Sequence, residues 1–340
     1  QRQMCIRDRK GNMKVIDIYE EVKAAKTIGI SGHIRPDGDC VGSCLGLYLY
    51  LKKKCSGARV QVMLEKPGDI FSCISGFDEI DSTFSGQQEP YDVFIALDCE
   101  KSRLGEAEKF FDQAGKRINI DHHISNENGC GDVNYVIPTA SSASELVYDV
   151  IRKEELDAEI AKALYIGIIH DTGVFQYSNT SPKTLQAASH LISYGFDFPA
   201  LISSTFYEKT YIQNQILGRA LLESILFMDG RCVVSMIDKK TMAFYNADSH
   251  DLEGIVSQLR NTRGVECAIF MYQTGTLEYK VSLRSAGIID VARVAAFFGG
   301  GGHIRAAGVT MQGTFHDIVN NLSAQIALQF EENADKKEAE

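Results

Sequence analysis

Hydrophobic positions in the first half of the chain alternate between short β-rich runs and longer stretches at helical spacing. The short runs predict strands at residues 27–31, 59–64, 91–97 and 117–120. Helices are predicted at residues 41–54, 142–153 and 158–170. Ser181 followed by Pro182 indicates the N-cap and first turn of a further helix that ends near residue 193. This alternation predicts a doubly wound α/β domain, in which helices cover both faces of a mainly parallel sheet.

The second half predicts a smaller mixed-sheet α/β domain. Strand patterns fall at residues 231–237, 266–272 and 277–283, and helical patterns fall at 252–260, 290–298 and 315–330. A glycine-rich loop is predicted at residues 299–302. Two cores suit a chain of 340 residues, since single cores stop growing near ~250 residues.

We therefore divide the chain into a larger first domain, a linker and a smaller second domain. The bounds are 13–194 for the first domain, 195–217 for the linker, 218–330 for the second domain and 331–340 for a charged tail. Residues 1–12 are interpreted as non-native or disordered sequence with Met13 as the natural start, and a natural flexible arm is the alternative.

Composition and charge limit the compartment and the substrates that we expect for this protein. Nine cysteines without a CxxC pair favour reduced thiols in a cytoplasm, and Cys40 and Cys44, one helical turn apart, are interpreted as packing residues. No apolar run approaches the ~18 residues that a membrane span needs, so we expect a soluble cytoplasmic protein. A net charge of −10 argues against duplex binding, because Lys and Arg supply most of the affinity for long nucleic acids. Any nucleic-acid substrate should be short.

Acidic and histidine residues cluster where the predicted strands end. The first strand leads into His33, Asp37 and Asp39, the third ends on Asp98, and the fourth ends on Asp121, His122 and His123. The carboxyl ends of parallel strands meet at one edge of a sheet, and ligands bind there in open α/β folds. Asp171 follows a predicted helix and can join this edge from one side.

Four carboxylates at one edge require a compensating cation, because close like charges raise one another's pKa. Carboxylates and imidazoles without a thiolate favour Mn²⁺ or Mg²⁺, with Zn²⁺, Co²⁺ or Fe²⁺ as other occupants. The six candidate ligands are too many for one ion and suit two ions that share a carboxylate: His33, Asp37, Asp39, Asp98, His122 and Asp171. Two ions held ~3.5–4 Å apart are suited to in-line displacement at phosphorus.

Each segment also has an ordinary structural interpretation. The HxxxDxD segment is also typical of a turn with a helix cap, and the two histidines of a polar strand edge. Asp98 is also typical of an Asx turn, and Asp171 of a helix end. All four segments lie at the ends of predicted strands or helices in one half of the chain, and this shared location favours the metal site.

These residues resemble a known family. His33, Pro36, Asp37, Gly38, Asp39, Gly42 and Ser43, then Asp98, then Asp121–His122–His123 resemble the DHH phosphoesterases. Glu253, Gly254, Arg284, Ser285 and the run GGGGHIRAAG at 299–308 resemble the DHH-associated C-terminal domain. The resemblance extends from Met13 to about Phe330, and the compact layout is similar to the oligoribonuclease and pAp phosphatase branch.

The resemblance implies a role for each matching residue. His33, Asp37 and Asp98 would hold one metal ion, and Asp39, Asp98, His122 and Asp171 the other, with Asp98 as the bridge. Asp121 would orient the site, and His123 would lie near the scissile phosphate as a hydrogen-bond donor or leaving-group acid. The implied substrate contacts are Arg284, Ser285, His303 and the backbone of Gly300, Gly301 and Gly302. Arg103 is a further candidate phosphate contact, although a lone arginine is more often a surface charge.

The implied activity is hydrolysis of short RNA to nucleoside 5′-monophosphates and of 3′-phosphoadenosine 5′-phosphate (pAp) to AMP, with two divalent ions. A homodimer is implied by the resemblance alone. The alternatives within the reaction class are hydrolysis of pApA or cyclic di-AMP, a longer single-strand exonuclease role and inorganic pyrophosphate hydrolysis. From another class, the chain could be a nucleotide-binding module without turnover, which the complete ligand set disfavours.

Overall fold

The computed structural model describes residues 15–126 and 128–338, with side chains through residue 334. The interpretation of residues 1–12 and Met13 lies outside the described residues. The chain forms two compact units that meet in sequence between Glu208 and Lys209. This division falls inside the range 195–217 that we assign to the linker, and the domain bounds themselves stay a prediction.

The first unit contains a parallel sheet in the order β2-β1-β3-β4-β5. Its strands are β1 Thr27–Ser31, β2 Arg59–Met63, β3 Val93–Leu97, β4 Lys116–Asp121 and β5 Val133–Val136. Every neighbouring pair is parallel. All five residues of β3 are buried, as expected for a central strand that is covered on both faces. The predicted doubly wound α/β class is confirmed.

The helices of this unit are α1 Ile18–Val22, α2 Gly38–Lys54, α3 Glu108–Gln113, α4 Ala143–Val150, α5 Ala158–Asp171, α6 Pro182–Ile192 and α7 Phe198–Ile202. All of them except α3 begin at a residue whose side chain caps them. Asp37 caps α2, Ser142 caps α4, and Ser181 forms a capping box with Thr184 at α6. The predicted start of α6 at Ser181–Pro182 is therefore confirmed. Strand β5 was not predicted, because its four residues include the polar Asn134 and show no clear alternation.

Glycines bring α2 and α5 close together. A Cβ atom at Gly42 would lie 2.6 Å from the carbonyl oxygen of Ala163 and 2.8 Å from the amide nitrogen of Gly167. A Cβ atom at Gly38 would meet the ring of His170, and one at Gly46 would lie 2.5 Å from Leu164 Cδ2. The spacing of four residues places all three glycines on one face of α2. Both helices are buried along most of their length.

The second unit contains a mixed sheet in the order β10-β11-β9-β8-β7-β6. Its strands are β6 Ile225–Phe227, β7 Cys232–Ile237, β8 Cys267–Gly275, β9 Glu278–Ser285, β10 Gly301–His303 and β11 Ala306–Gln312. Only β7 and β8 pair in parallel among the described strands of this sheet. The helices are α8 Tyr211–Leu222, α9 Lys239–Tyr245, α10 Ile255–Arg260, α11 Val291–Phe297 and α12 Phe315–Glu338. The predicted mixed sheet is confirmed.

One local prediction in this unit was wrong. Gly301 and Gly302, assigned to a loop, belong to β10, which pairs with the unpredicted strand β11. Glycine at position 302 reflects close contact between strands, because a Cβ atom there would lie 2.4 Å from the carbonyl oxygen of Ala306. Helix α12 continues through Glu338 and covers most of the range assigned to the tail.

Of the helices within residues 15–126 and 128–338, none combines the length and apolar character needed to cross a membrane.

The α2–α5 contact predicts an asymmetric response to Gly→Ala substitution. Gly42→Ala should lower the free energy of unfolding by about 1–3 kcal/mol, because a methyl group forces backbone apart in a close-packed region. Gly218→Ala in α8, where a Cβ atom meets nothing within 4 Å, should instead stabilise by roughly 0.5–1 kcal/mol through helix propensity. Urea unfolding followed by circular dichroism measures both. Equal stability of the two variants would contradict the packing argument.

Candidate metal centre and active site

His33 presents one ring nitrogen to the carboxylates at the edge of the sheet. It follows β1 and is only 5% exposed. Its Nδ1 lies 2.8 Å from the carbonyl oxygen of Ile34, and since a carbonyl can only accept, Nδ1 carries the proton. Nε2 faces Asp98 Oδ2 at 3.4 Å and Asp37 Oδ1 at 3.6 Å. A hydrogen bond on one nitrogen that aims the other at acidic groups is typical of metal-binding histidines.

Asp98 lies at the centre of the site. It directly follows β3, is 2% exposed and has a left-handed backbone with φ of 59°. Such a conformation is unusual for a residue other than glycine and occurs often at functional sites. Its Oδ1 is buried without a hydrogen-bond partner and lies 3.4 Å from His122 Nε2. A buried carboxylate oxygen without a hydrogen bond is costly, and a bound cation would compensate it.

Asp39 and Asp171 approach the same histidine from α2 and α5. His122 Nε2 lies 3.6 Å from Asp171 Oδ2 and 4.0 Å from Asp39 Oδ2. Asp39 also accepts hydrogen bonds from the amides of Ala143 at 2.6 Å and Ser144 at 2.9 Å, in the first turn of α4. The N-terminus of a helix stabilises a carboxylate through these amides and its dipole. The first turns of α2 and α4 therefore meet at Asp39, and the end of α5 brings Asp171 to the same histidine.

Asp121 holds the two histidines that follow it. Its Oδ1 accepts hydrogen bonds from the amides of His122 and His123 at 2.7 and 3.1 Å, and it lies 2.8 Å from His123 Nδ1. Asn126 Nδ2 donates to the other oxygen at 2.7 Å and also to Asn119 Oδ1 at 2.9 Å. An ionised Asp121 can only accept, so Nδ1 of His123 carries the proton and Nε2 is the nitrogen that can exchange a proton with a ligand.

The electrostatics of the cluster reflect the crowding of negative charge. Burial lowers the pKa of His33, but Asp37 and Asp98 outweigh it and raise this pKa to about 12. Burial also lowers the pKa of His122, but Asp98 outweighs it and raises this pKa to about 10. Burial raises the pKa of Asp98, but His122 and His33 bring it well below the usual range. Burial also raises the pKa of Asp171, to about 6. Protons on the imidazoles thus supply the positive charge that a metal ion would otherwise bring.

The residues fit divalent metal ions. Three groups in the described part of the chain have ligand atoms that all lie within 4.8 Å of one another: His33, Cys40 and Asp98; Asp98, His122 and His123; and Asp39, His122 and Asp171. Two groups share Asp98 and two share His122, as expected for two neighbouring ions. The unpartnered Asp98 Oδ1 and the charge excess give the site a physical need for cations.

Asp37 differs from the other five predicted ligands. Its side chain is 64% exposed, and its Oδ1 accepts hydrogen bonds from the amides of Asp39 and Cys40, both at 3.1 Å, at the start of α2. It belongs to none of the three groups found among the described residues. The assignment of Asp37 as a ligand stays a prediction; its Oδ1 caps α2 and also lies 3.6 Å from His33 Nε2.

Arg103 lies beside the His33 segment through its backbone. Its carbonyl oxygen accepts a hydrogen bond from the amide of Ile34 at 2.8 Å. The side chain is partly buried, and its contact with phosphate stays a prediction.

In the second unit, the predicted substrate contacts lie on neighbouring strands. Ala306 pairs with His303 on one side and with Arg284 on the other. His303 is exposed and Arg284 is partly buried, so the small Ala306 separates two basic side chains in one row across the sheet. Ser285 is instead buried, and its hydroxyl donates to Glu266 Oε1 at 3.1 Å. Ser285 thus has an internal partner, and its substrate contact stays a prediction.

Several residues that hold the site were missed by the sequence analysis. Asn179 Nδ2 donates to the backbone oxygen and Oδ2 of Asp171 at 3.1 and 3.3 Å. Asn126 donates to Asp121 and also to Asn119. Asn126 lies five residues after Asp121 in a polar run, which is a weak signal. Asn179 reaches its partner through the turn after α5, which no spacing rule indicates.

A parallel α/β sheet with a carboxylate and imidazole cluster at its carboxyl edge defines a class: the metal-dependent hydrolases that act on ester bonds. Comparison with known proteins gives the family. The model of the DHH family, N-terminal domain, matches residues 27–168, and that of the DHHA1 domain matches residues 229–331. The chain belongs to the DHH family.

Individual relatives agree with this assignment. A bifunctional oligoribonuclease and PAP phosphatase from Thermus thermophilus is 32% identical over 87% of this chain and 88% of its own. A protein of the same description from Bacillus subtilis is 27% identical over 88% of this chain and 92% of its own. The crystal structure of an exopolyphosphatase-related protein from Bacteroides fragilis superimposes with a TM-score of 0.84 at 27% identity, covering 92% of this chain and 96% of that one.

The raised pKa values predict that metal binding releases protons. At about pH 8, His33 and His122 are protonated in the metal-free protein, with pKa values of about 12 and about 10, whereas a metal ligand must be a neutral imidazole. Binding of Mn²⁺ should therefore release about two protons per chain, and the apparent affinity should rise with pH. Isothermal titration calorimetry in two buffers of different ionisation enthalpy counts the protons. A count near zero would contradict the predicted protonation of the imidazoles.

Proposed function

We propose that the chain hydrolyses short RNA oligonucleotides to nucleoside 5′-monophosphates and pAp to AMP, at a centre of two divalent metal ions in the cytoplasm. The observation that carries this proposal is the buried carboxylate of Asp98, whose Oδ2 faces His33 and whose Oδ1 faces His122 without making a hydrogen bond. The activities named for the Thermus and Bacillus relatives, which match most of this chain, support the substrate class.

The ligands divide into two positions that meet at Asp98. His33, Asp37 and Asp98 would hold one ion, and Asp39, His122 and Asp171, with Asp98, would hold the other. When bound, the ions neutralise the charge that develops on a phosphate during in-line displacement. Mn²⁺ is the proposed ion, with Mg²⁺ or Co²⁺ as alternatives, because the donors of the predicted ligands are all oxygen and nitrogen.

His123 is the group proposed to handle the leaving-group proton. Asp121 fixes its Nδ1–H by a 2.8 Å contact, so that Nε2 is the nitrogen able to donate a proton to a departing oxygen. Asp121 is fully buried and His123 is partly exposed. The pair therefore extends from the sheet edge toward the solvent side of the cluster, where a phosphate can enter.

Substrate binding is proposed for the second unit. Arg284 and His303 present basic groups on either side of Ala306, and the glycines of β10 leave their backbone accessible to a phosphate. A net charge of −10 gives little general affinity for long polyanions. Short substrates that need only a few local contacts are consistent with this charge.

Product chromatography after loading with Mn²⁺ tests the function. A labelled RNA trimer, pAp, pApA and pyrophosphate are incubated separately with the protein. We expect mononucleotides from the trimer and AMP from pAp. Turnover of pApA alone would instead assign a dinucleotide phosphodiesterase, and binding without turnover of any substrate would assign a nucleotide-binding module.

Asp98→Asn tests the centre with almost no change in shape. Loss of the shared charge should reduce turnover by at least about 10³-fold, because it removes several kcal/mol of charge stabilisation by the metal ions. Asp92→Asn is the matched control at the other end of β3, where Asp92 accepts hydrogen bonds from the amides of Lys26 and Thr27. Steady-state rates on pAp should be nearly unchanged for this control. Retained turnover in Asp98→Asn would overturn the proposed centre.

The glycines of β10 provide a second matched pair. In Gly302→Ala the new Cβ atom would lie 2.4 Å from the Ala306 carbonyl, whereas at Gly301 it would meet nothing within 4 Å. Gly302→Ala should raise the KM for pAp by about tenfold or more, since one hydrogen bond to a charged phosphate contributes about 1.5–3 kcal/mol. Gly301→Ala should change KM little. Identical KM values in both variants would argue against a role for β10 in binding.

A further inference from the structure

The loop that follows Asp171 reverses direction through an unusual backbone. Gly173, Val174 and Phe175 are consecutive residues in the left-handed region, with φ of 56°, 55° and 66°. This conformation is rare for residues other than glycine and is an outlier for a β-branched valine. A contact with α5 holds it in place, because the amide of Val174 donates to the carbonyl oxygen of Ile169 at 2.7 Å. Strained segments that the surrounding structure maintains are frequent at ligand sites.

The reversal places Tyr177 next to the predicted metal ligand Asp171. The amide of Tyr177 donates to the carbonyl oxygen of Thr172 at 2.9 Å. Two residues further on, Asn179 Nδ2 donates to the backbone oxygen and Oδ2 of Asp171 at 3.1 and 3.3 Å. Asp171 Oδ2 in turn lies 3.6 Å from His122 Nε2. The returning arm of the loop therefore borders the metal centre.

One face of the Tyr177 ring packs on Gly173. A Cβ atom at Gly173 would lie 2.4, 2.6 and 2.7 Å from the ring atoms Cζ, Cε1 and Cε2. These nearly equal distances place that position over the face of the ring, because no point in the ring plane at this range is almost equally near to all three carbons. No side chain fits between the ring and the backbone, so glycine is what allows this contact.

The other face of this ring is open to solvent. Tyr177 remains 50% exposed although Gly173 covers one side of it. The neighbouring Phe175 instead packs against the core, with its ring centroid 6.4 Å from that of Tyr165. The loop therefore uses one aromatic ring for its own packing and presents a second one, supported from behind, beside the metal ligands.

We propose that the open face of Tyr177 stacks on the nucleobase of the nucleotide whose phosphate lies at the metal centre. Every nucleobase has a π-face, so stacking adds affinity without selecting one RNA sequence. The base is uncharged, and the carboxylates around Asp98 therefore do not repel it. This inference rests on the proposed function, and it identifies the nucleobase as the part of the substrate that the first unit recognises.

Steady-state kinetics of the full chain on pAp distinguish stacking from a surface role. Tyr177→Ala should raise KM by about tenfold, the scale of affinity lost when one base-stacking ring is truncated. The kcat should stay within about twofold of wild type, because only binding is lost. Tyr177→Phe should keep KM near the wild-type value. Tyr211→Ala is the matched control, since Tyr211 is an exposed tyrosine at the start of α8. A KM in Tyr177→Phe as high as in Tyr177→Ala would overturn stacking.

The sequence contains no tryptophan, which allows a measurement that does not depend on turnover. In Tyr177→Trp the introduced indole is the chain's single tryptophan, and its emission reports on the open face of the ring. With Mg²⁺ present, AMP should quench this emission in a saturable way. Ribose 5-phosphate, which carries a phosphate and no base, should leave the emission unchanged. Tyr211→Trp should respond to neither compound. Equal quenching of Tyr177→Trp by AMP and ribose 5-phosphate would contradict stacking.

The outcomes separate this inference from the proposed function. Turnover of pAp with an unchanged KM in Tyr177→Ala would overturn stacking and leave the function intact. No turnover of any substrate by wild type would overturn the proposed function. Saturable quenching of Tyr177→Trp by AMP would in that case still support a base-binding surface beside the metal centre, and no quenching by AMP would overturn the inference as well.

Discussion

The close contact between α2 and α5 is the constraint on which the candidate site depends. No side chain fits between the two backbones at Gly42, where a Cβ atom would lie 2.6 Å from the Ala163 carbonyl oxygen. A Cβ atom at Gly167 would collide with Ser144 Oγ and lie 2.8 Å from Asp39 Oδ1. Because α2 carries Asp39 in its first turn and α5 ends on Asp171, this contact sets the distance between the two carboxylates. Through these glycines, the packing of α2 against α5 determines how far apart the two predicted metal ligands Asp39 and Asp171 lie.

The same contact brings carboxylates together in a buried space. Their mutual repulsion favours the binding of cations at the site. Asp39 and Asp98 are almost fully buried, and burial with neighbouring carboxylates raises the pKa of Asp39. Two sets of groups offset this repulsion between carboxylates. The amides of Ala143 and Ser144 donate hydrogen bonds to Asp39, and the imidazoles of His33 and His122 face Asp98. Asp98 Oδ1 is left without a hydrogen bond. A cation is the remaining source of compensation, so stability and metal binding are linked in this unit.

The second unit shows the same use of glycine in a sheet. Gly300 and Gly302 each lie so close to β11 that a Cβ atom would fall 2.4 Å from a backbone oxygen. The close pairing of β10 with β11 places His303 opposite Ala306, which pairs with Arg284 on its other side. A row of two basic groups around one small residue therefore results from strand register, and a shift by one residue would move these side chains to the other face.

Much of the site followed from local patterns in the sequence. Short apolar runs predicted the first four strands of the parallel sheet to within two residues at each end, and a polar residue after a parallel strand must lie at the shared carboxyl edge. That rule alone brought His33, Asp98 and His122 together.

Only the tertiary structure decided how each of these groups is used. It placed Asp37 as an exposed helix cap beside His33, Cys40 in the core on the other side of His33, and Asn179 against Asp171. It also paired 301–303 with 306–312 as strands. Hydrogen-bond partners and burial arise from contacts between residues that are distant in sequence, whereas periodicity and capping depend on neighbours within a few residues. The sequence by itself therefore determined the elements and the edge at which the site lies, and the packing of α2, α4 and α5 determined which atoms face a metal ion.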